Sequence, residues 1–184
     1  MKSRVVIYDF DNTLFNSHTR ETGEQFYLEK TGKKWAHSGW YGRVETLHPP
    51  FVTDPVTEEH FVPHVLAAFR VDRADKNTNV FMMTGRPAKM RHRIVELLDA
   101  VDAKFDDYFF RGMKGQHIPG DTLEIKLHLI EHKILPMRTV FEIWEDRPEH
   151  ASRFMTEARR WRKKFNALEK VIVHDVPSQQ SHEF

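Results

Sequence analysis

The sequence predicts an α/β fold, a mostly parallel sheet with helices on both faces, and three observations predict it. Short apolar, β-branched runs recur along the chain, as in Arg4-Val5-Val6-Ile7-Tyr8. Stretches with apolar residues at helical spacing alternate with them. No internal repeat or low-complexity block interrupts the alternation. Strands that alternate with helices read as a Rossmann-like layer structure.

The elements follow in order. Residues 4–9 form the first strand, buried on both sides. Ser17 to about Lys34 suits a helix. Residues 35–57 carry Trp35, Trp40, Tyr41, Pro49, Pro50, Phe51 and Pro55, which excludes a long helix and suggests an irregular excursion over the strand edge. Thr57 to about Asp75 reads as a helix capped by Thr57, with Phe61, Val65, Leu66 and Phe69 on one face. Thr78 to Met83 is a second strand ending at Thr84-Gly85-Arg86-Pro87, and a helix follows to about Asp99. Tyr108-Phe109-Phe110 is a short strand, residues 121–132 a helix, and residues 139–144 a strand ending at Glu145-Asp146. A helix over 148–168 and a strand over 170–175 complete the domain, taken as residues 1–176, with a small cap-like insert at about 16–77. Residues 177–184 are expected to be a flexible tail.

Composition bounds the class. The chain has 184 residues, enough for one sizeable core. Its formal charge of +1 argues for no strong global field toward nucleic acid or membrane. With 0 Cys, disulfides and thiolate metal sites are excluded. No apolar stretch approaches the roughly 20 residues that span a bilayer. Asp9 and Asp11 interrupt any signal-peptide core at the N-terminus. A cytoplasmic location is expected.

The chemistry-bearing residues fall at strand ends, the edge where open α/β sheets bind ligands. Asp9 and Asp11 close the first strand, Thr84 the second, and Glu145 with Asp146 a later one. Two close, buried carboxylates repel each other, so a cation or a shared proton must relieve them. One can then act as a nucleophile and the other as an acid. Read alone, the same residues are ordinary turn and cap formers; it is their recurrence on one edge that marks a site.

In order, Asp9-Phe10-Asp11-Asn12-Thr13, Thr84, Lys126 and Glu145-Asp146 resemble the four motifs of the haloacid dehalogenase superfamily of phosphotransferases. A narrower resemblance rests on Gly39-Trp40-Tyr41, Thr84-Gly85-Arg86, Thr122-Leu123-Glu124-Ile125-Lys126 and Trp144-Glu145-Asp146-Arg147-Pro148-Glu149-His150. These look like the Swiss Army Knife RNA-repair branch, with Ile125 where Phe is usual. The resemblance implies Asp9 as nucleophile forming an aspartyl-phosphate and Asp11 as general acid/base, its backbone carbonyl facing the metal. It implies Thr84 as a phosphoryl hydrogen-bond donor and Lys126 as the neutralising cation. Asp146, assisted by Glu145, would hold Mg2+ beside Asp9 and Asp11. Gly85, Arg86, Trp40 and Arg147 are candidate substrate contacts.

Two of these carry open alternatives. Trp40 and Tyr41 either stack on a base or anchor a loop, and His150 either meets substrate or is structural. Arg159-Arg160-Trp161-Arg162-Lys163-Lys164 is the best basic run, as a nucleic-acid patch or as a solvated helix face. Lys114 and Lys133 rival Lys126. The leading expectation is a Mg2+-dependent phosphomonoesterase acting on a phosphorylated substrate, a polynucleotide end. A small-molecule or nucleotide phosphatase and a catalytically silent binding module are the alternatives.

Overall fold

The computed structural model describes residues 2–113, 120–136 and 138–184. Its sheet runs β3-β2-β1-β4-β5-β6. The strands are β1 (Arg4–Tyr8), β2 (Thr78–Pro87), β3 (Asp107–Arg111), β4 (Val140–Glu145), β5 (Lys170–Asp175) and β6 (Gln180–Glu183). The first five pair in parallel and β6 is antiparallel to β5. Chain order moves outward from β1 to β3, then returns to β4 on the other side of β1. The switch point therefore lies between β1 and β4, where an open sheet leaves a crevice at its carboxyl edge.

Alternation along each strand sends successive side chains to opposite faces. Val6 and Tyr8 join one core with Phe69 and Leu66 of α2 (Pro63–Ala74) and Ile94 and Leu97 of α3 (Arg91–Asp99). Val5 and Ile7 join the other with Leu127 and Leu129 of α4 (Thr122–Leu129) and Phe154 and Trp161 of α5 (Pro148–Lys164). Burying a large apolar side chain contributes about 1.5–3 kcal/mol, so each layer is held mainly by these residues.

The segment between β1 and α2 sends Leu14, Phe15, Leu47, Val52 and Phe61 into the first core and builds a small aromatic cluster of its own. Its helix α1 (Arg20–Thr31) is capped by Thr19 and buries only Gly23. A Cβ at Gly23 would lie 2.1 Å from the Trp40 ring, so the bare backbone is what lets the indole dock. Tyr27, Trp35, Trp40 and Phe51 stack edge and face within this small cluster.

The structure departs from expectation in four places. The helix expected from Thr57 is a single 3-10 turn, Glu58–His60, closed by a Thr57–His60 capping box; α2 starts only at Pro63, whose fixed φ suits a first helical position. Strand β2 continues through Thr84 to Pro87, with a register shift between those two residues. After Leu129 the fourth helix widens into a π turn, Ile130–Ile134. The expected flexible tail is instead β6, with Phe184 N–H donating to Val171 O at 2.9 Å and Val171 N–H donating back to Phe184 O at 3.0 Å. Its residues are polar, so no apolar pattern announced it, and ladder hydrogen bonds order it. No helix among the described residues is long and apolar enough to cross a membrane.

Candidate active site

The register of β1 against its neighbours assembles the site. Tyr8 lies opposite Met82 and Trp144, so Asp9, Thr84 and Glu145 all emerge at one end of the sheet. Asp9 N–H donates to Trp144 O at 3.1 Å and ties the two loops together. Asn12 adopts φ +53°, a left-handed conformation Asn tolerates, which turns the chain back after Asp11.

Lys126 joins the acids. Its Nζ donates to Asp9 Oδ1 at 2.9 Å and to Glu145 Oε2 at 2.7 Å, and all three side chains are buried. Lys126 reaches them because α4 begins hard against the end of β2. A Cβ on Gly85 would meet Thr122 Cγ2 at 2.6 Å, so glycine is what permits that approach. Asp121 caps the helix by accepting from Glu124 N–H at 3.0 Å.

Asp9, Glu145 and Asp146 offer carboxylate oxygens within 4.8 Å of one another. Burial pushes Asp9 up to about 6 against the pull of Lys126. Burial, with Asp9 and Glu145 beside it, pushes Asp146 up to about 8. Burial also opposes ionisation of Glu145, but Lys126 and His150 together hold it down at about 2. Burial works against the Lys126 ammonium too, yet Asp9 and Glu145 raise it. Asp146 Oδ1 is buried and has no hydrogen-bond partner. An excess of clustered carboxylates with an orphaned oxygen suits a hard divalent cation with oxygen ligands. Asp9 and Asp146 fit that cation best, because both Glu145 oxygens face other groups. His150 Nδ1 lies 3.3 Å from Glu145 Oε1, and the Arg147 N–H donates to the same oxygen at 3.4 Å. His150 thus faces Glu145 at the start of α5.

Asp11 stands apart from this cluster. Arg86 donates to it through Nε at 2.9 Å to Oδ2 and through Nη2 at 2.6 Å to Oδ1. Ser17 Oγ adds a hydrogen bond at 2.6 Å to Oδ1, and Arg86 Nη1 also reaches Thr46 Oγ1 at 3.0 Å. The Asp11 side chain is therefore engaged by Arg86 and not by the acidic cluster expected to hold metal. Thr84 Oγ1 accepts from the Arg86 N–H at 3.2 Å.

A cavity of about 150 Å³ opens above Asp9, with Asp11, Tyr41, Arg86, Lys126 and Arg147 in its wall and Gly85, Arg111 and Thr122 completing it. Tyr41 stands at the mouth, its ring 5.5 Å from the Arg86 guanidinium and 5.7 Å from that of Arg147. Burial and nearby Asp11 push its hydroxyl pKa up.

Trp40 does not line the cavity. It is 4% exposed, donates its Nε1–H to His18 O at 2.7 Å, and anchors the insert, so its face is closed to a base. Trp161 is likewise fully buried, and Arg160 and Lys164 are bound to Glu131, so two of the five cations of the expected basic run are neutralised. Lys133 lies exposed in the π turn. Lys114 falls outside the described residues. Sequence reading passed over Ser17, Thr46 and Arg111. Arg111 carried a usable signal, since it ends a strand on the same edge, whereas Ser17 and Thr46 carried none.

Sheet order, switch point and acidic cluster define a domain of the haloacid dehalogenase (HAD) class. The family model for HAD domain family 1 in Swiss Army Knife RNA repair proteins matches residues 22–182, and the chain belongs to that family. Among solved structures, the chain is similar to one in the Pnkp1/Rnl/Hen1 RNA repair complex, with TM-score 0.50 and 16% identity, over 90% of this chain and 40% of that one. A second structure of the Pnkp1/Rnl/Hen1 complex matches with TM-score 0.48 and 16% identity, over 90% of this chain and 44% of the other. This chain thus spans less than half the length of those it resembles. No curated protein matches it.

Proposed function

We propose that this domain is a phosphomonoesterase that removes terminal phosphates from polynucleotides through an aspartyl-phosphate on Asp9. The observation that carries the reading is Lys126, buried between Asp9 and Glu145 at the base of a cavity rimmed by Arg86, Arg111 and Arg147. Family membership among RNA repair proteins supports the substrate class.

Phosphoryl transfer spreads negative charge over equatorial oxygens, so positioning and cations do most of the work. Lys126 offsets the charge of Asp9 and of the entering phosphate, and Glu145 holds Lys126 in place. Arg147 and Arg111 attract the phosphate at the rim. A singly protonated phosphate monoester that takes up part of the Arg86 guanidinium frees Asp11 and gives it a proton, which Asp11 passes to the leaving oxygen before it later deprotonates water. Gly85 leaves its backbone open to the phosphate. Asp9 and Asp146, with Glu145 behind them, would hold Mg2+, which supplies a Lewis acid that cancels repulsion between nucleophile and phosphate.

The small cavity favours a nucleotide or other small phosphate as the second reading. A screen of 3′- and 5′-phosphorylated oligonucleotides against mononucleotides, with Mg2+ and with EDTA, separates the two. Turnover is expected on oligonucleotides, lost in EDTA. Asp9→Asn should cut it about 10³-fold or more, as removal of a nucleophile does. Asp146→Ala should raise the Mg2+ requirement far more than Glu142→Ala, whose carboxylate is tied to Arg4 at 2.6 Å. Near-normal turnover by Asp9→Asn would refute the covalent route.

A further inference from the structure

Between Gly85 and Val95 the chain carries Arg86, Lys89, Arg91, His92 and Arg93 and no carboxylate. Arg86 belongs to the site above. Arg93 is buried and occupied, donating through Nε to Leu47 O at 2.9 Å and pairing with Glu96 at 3.0 Å. Lys89, Arg91 and His92 are exposed, and among the described residues none of them pairs with a carboxylate. They gather at the start of α3, whose first turn has no acid. Cations there oppose the helix dipole, a placement that lowers stability unless an anion covers it.

Shape and aromatic surface accompany the charge. The Arg91 guanidinium lies 5.1 Å from the Tyr108 ring centroid and 5.8 Å from that of Phe110. A groove of about 480 Å³ is lined by Ala88, Lys89, Arg91, His92, Val95 and Tyr108. Lys89 also lines an adjoining hollow of about 180 Å³ against Gly42 and Arg43. Both hollows are lined by residues that neighbour that rim along the chain: Gly42 follows Tyr41, and Ala88 comes two residues after Arg86.

The other basic concavity, formed by Arg159, Arg162, Lys163 and Phe184, sits far down α5. At about 1.5 Å per residue, Arg159 is roughly 18 Å along the helix from Arg147. The α3 groove instead begins just after β2 ends, on the sheet edge where the cavity opens.

Resting on the polynucleotide reading, we infer that Lys89, Arg91, His92 and Tyr108 form the docking groove for the single strand whose terminal phosphate enters the cavity. Backbone phosphates meet Lys89 and Arg91, and a base rests against Tyr108. A basic groove combined with an aromatic face is how single strands are held without sequence readout.

The test is binding, so it does not depend on turnover. Fluorescent single strands of two and eight nucleotides with a terminal phosphate are titrated onto Asp9→Asn protein, and Kd is read by anisotropy at several salt concentrations. The eight-mer should bind more tightly than the two-mer. Adding Lys89→Gln and Arg91→Gln should weaken the eight-mer about tenfold and lower the slope of log Kd against log salt by about 1.4, near 0.7 per lost phosphate contact. The thermal melt should be no lower than the parent's, since two cations leave the start of α3, and the same pair in an otherwise wild-type chain should leave aryl phosphate hydrolysis unchanged. An unchanged eight-mer Kd overturns the groove, as does an equal advantage lost only with Arg162→Gln and Lys163→Gln, or absence of any length effect. If the groove variants weaken binding as expected while wild-type protein hydrolyses no phosphorylated substrate, the phosphatase reading fails and the groove stands.

Discussion

Asp9 and Asp146 share one condition: each is harder to ionise in the fold than in the open chain. A carboxylate with a raised folded pKa adds stability below its unfolded pKa of about 4, and that contribution is lost as pH rises through the folded value. For these two the window runs from about pH 4 to about 8. Glu145 acts the other way, but its window lies below pH 4.5, as its folded value is about 2. Metal-free protein should therefore melt at lower temperature at pH 8 than at pH 5.5. Mg2+ should raise the melting temperature more at the higher pH, where the carboxylates are charged. One kcal/mol corresponds to about 2–4 °C in a chain of this size, which calorimetry resolves. A melting temperature flat over this range, with no Mg2+ effect, would remove the cluster from metal binding.

At the scale of elements, the contact between the end of β2 and the start of α4 places Lys126 in the acids. Gly85 and Thr122 are the contact points. Gly85→Ala should force the two elements apart, cost about 1–3 kcal/mol as overpacking does, and reduce kcat through displacement of Lys126. Thr122→Ala removes the Cγ2 and Oγ1 that the new methyl would strike, so the double variant should recover most of both losses. Denaturant melts and kcat for the four proteins form the cycle, and simple additivity would show that the contact does not position Lys126. Thr122 and Gly85 lie 37 residues apart in sequence, and no local pattern pairs them.

For the whole molecule, β6 closes the sheet beyond β5. Val171 and Val173 are fully buried in β5, and an uncovered edge of such a strand is a template for pairing with another copy. A chain ending at Val176 should associate in a concentration-dependent way in light scattering and melt at lower temperature than the full sequence. A monodisperse truncation with an unchanged melt would show that β6 adds nothing. The polar strand Gln180–Glu183 was invisible to apolar patterning because its order comes from ladder bonds and from His174 Nδ1 lying 2.7 Å from Ser181 Oγ.

Alternating apolar runs were enough to place five parallel strands, the helices between them and the edge on which Asp9, Thr84 and Glu145 emerge. Periodicity records which side chains leave water, and burial dominates where elements form. The resemblance to the family motifs also pointed to Lys126, which the structure sets between Asp9 and Glu145 on that edge. Partner choice among buried groups was decided only by tertiary structure. Trp40 turned inward because Gly23 leaves room for its ring. Arg86 took Asp11 because the insert brings Ser17 to that carboxylate and Thr46 to the guanidinium. Arg160 and Lys164 spent their charge on Glu131, while Lys89 and Arg91 kept theirs. Such pairings depend on distances between residues remote in sequence, and a linear pattern of polarity does not contain them.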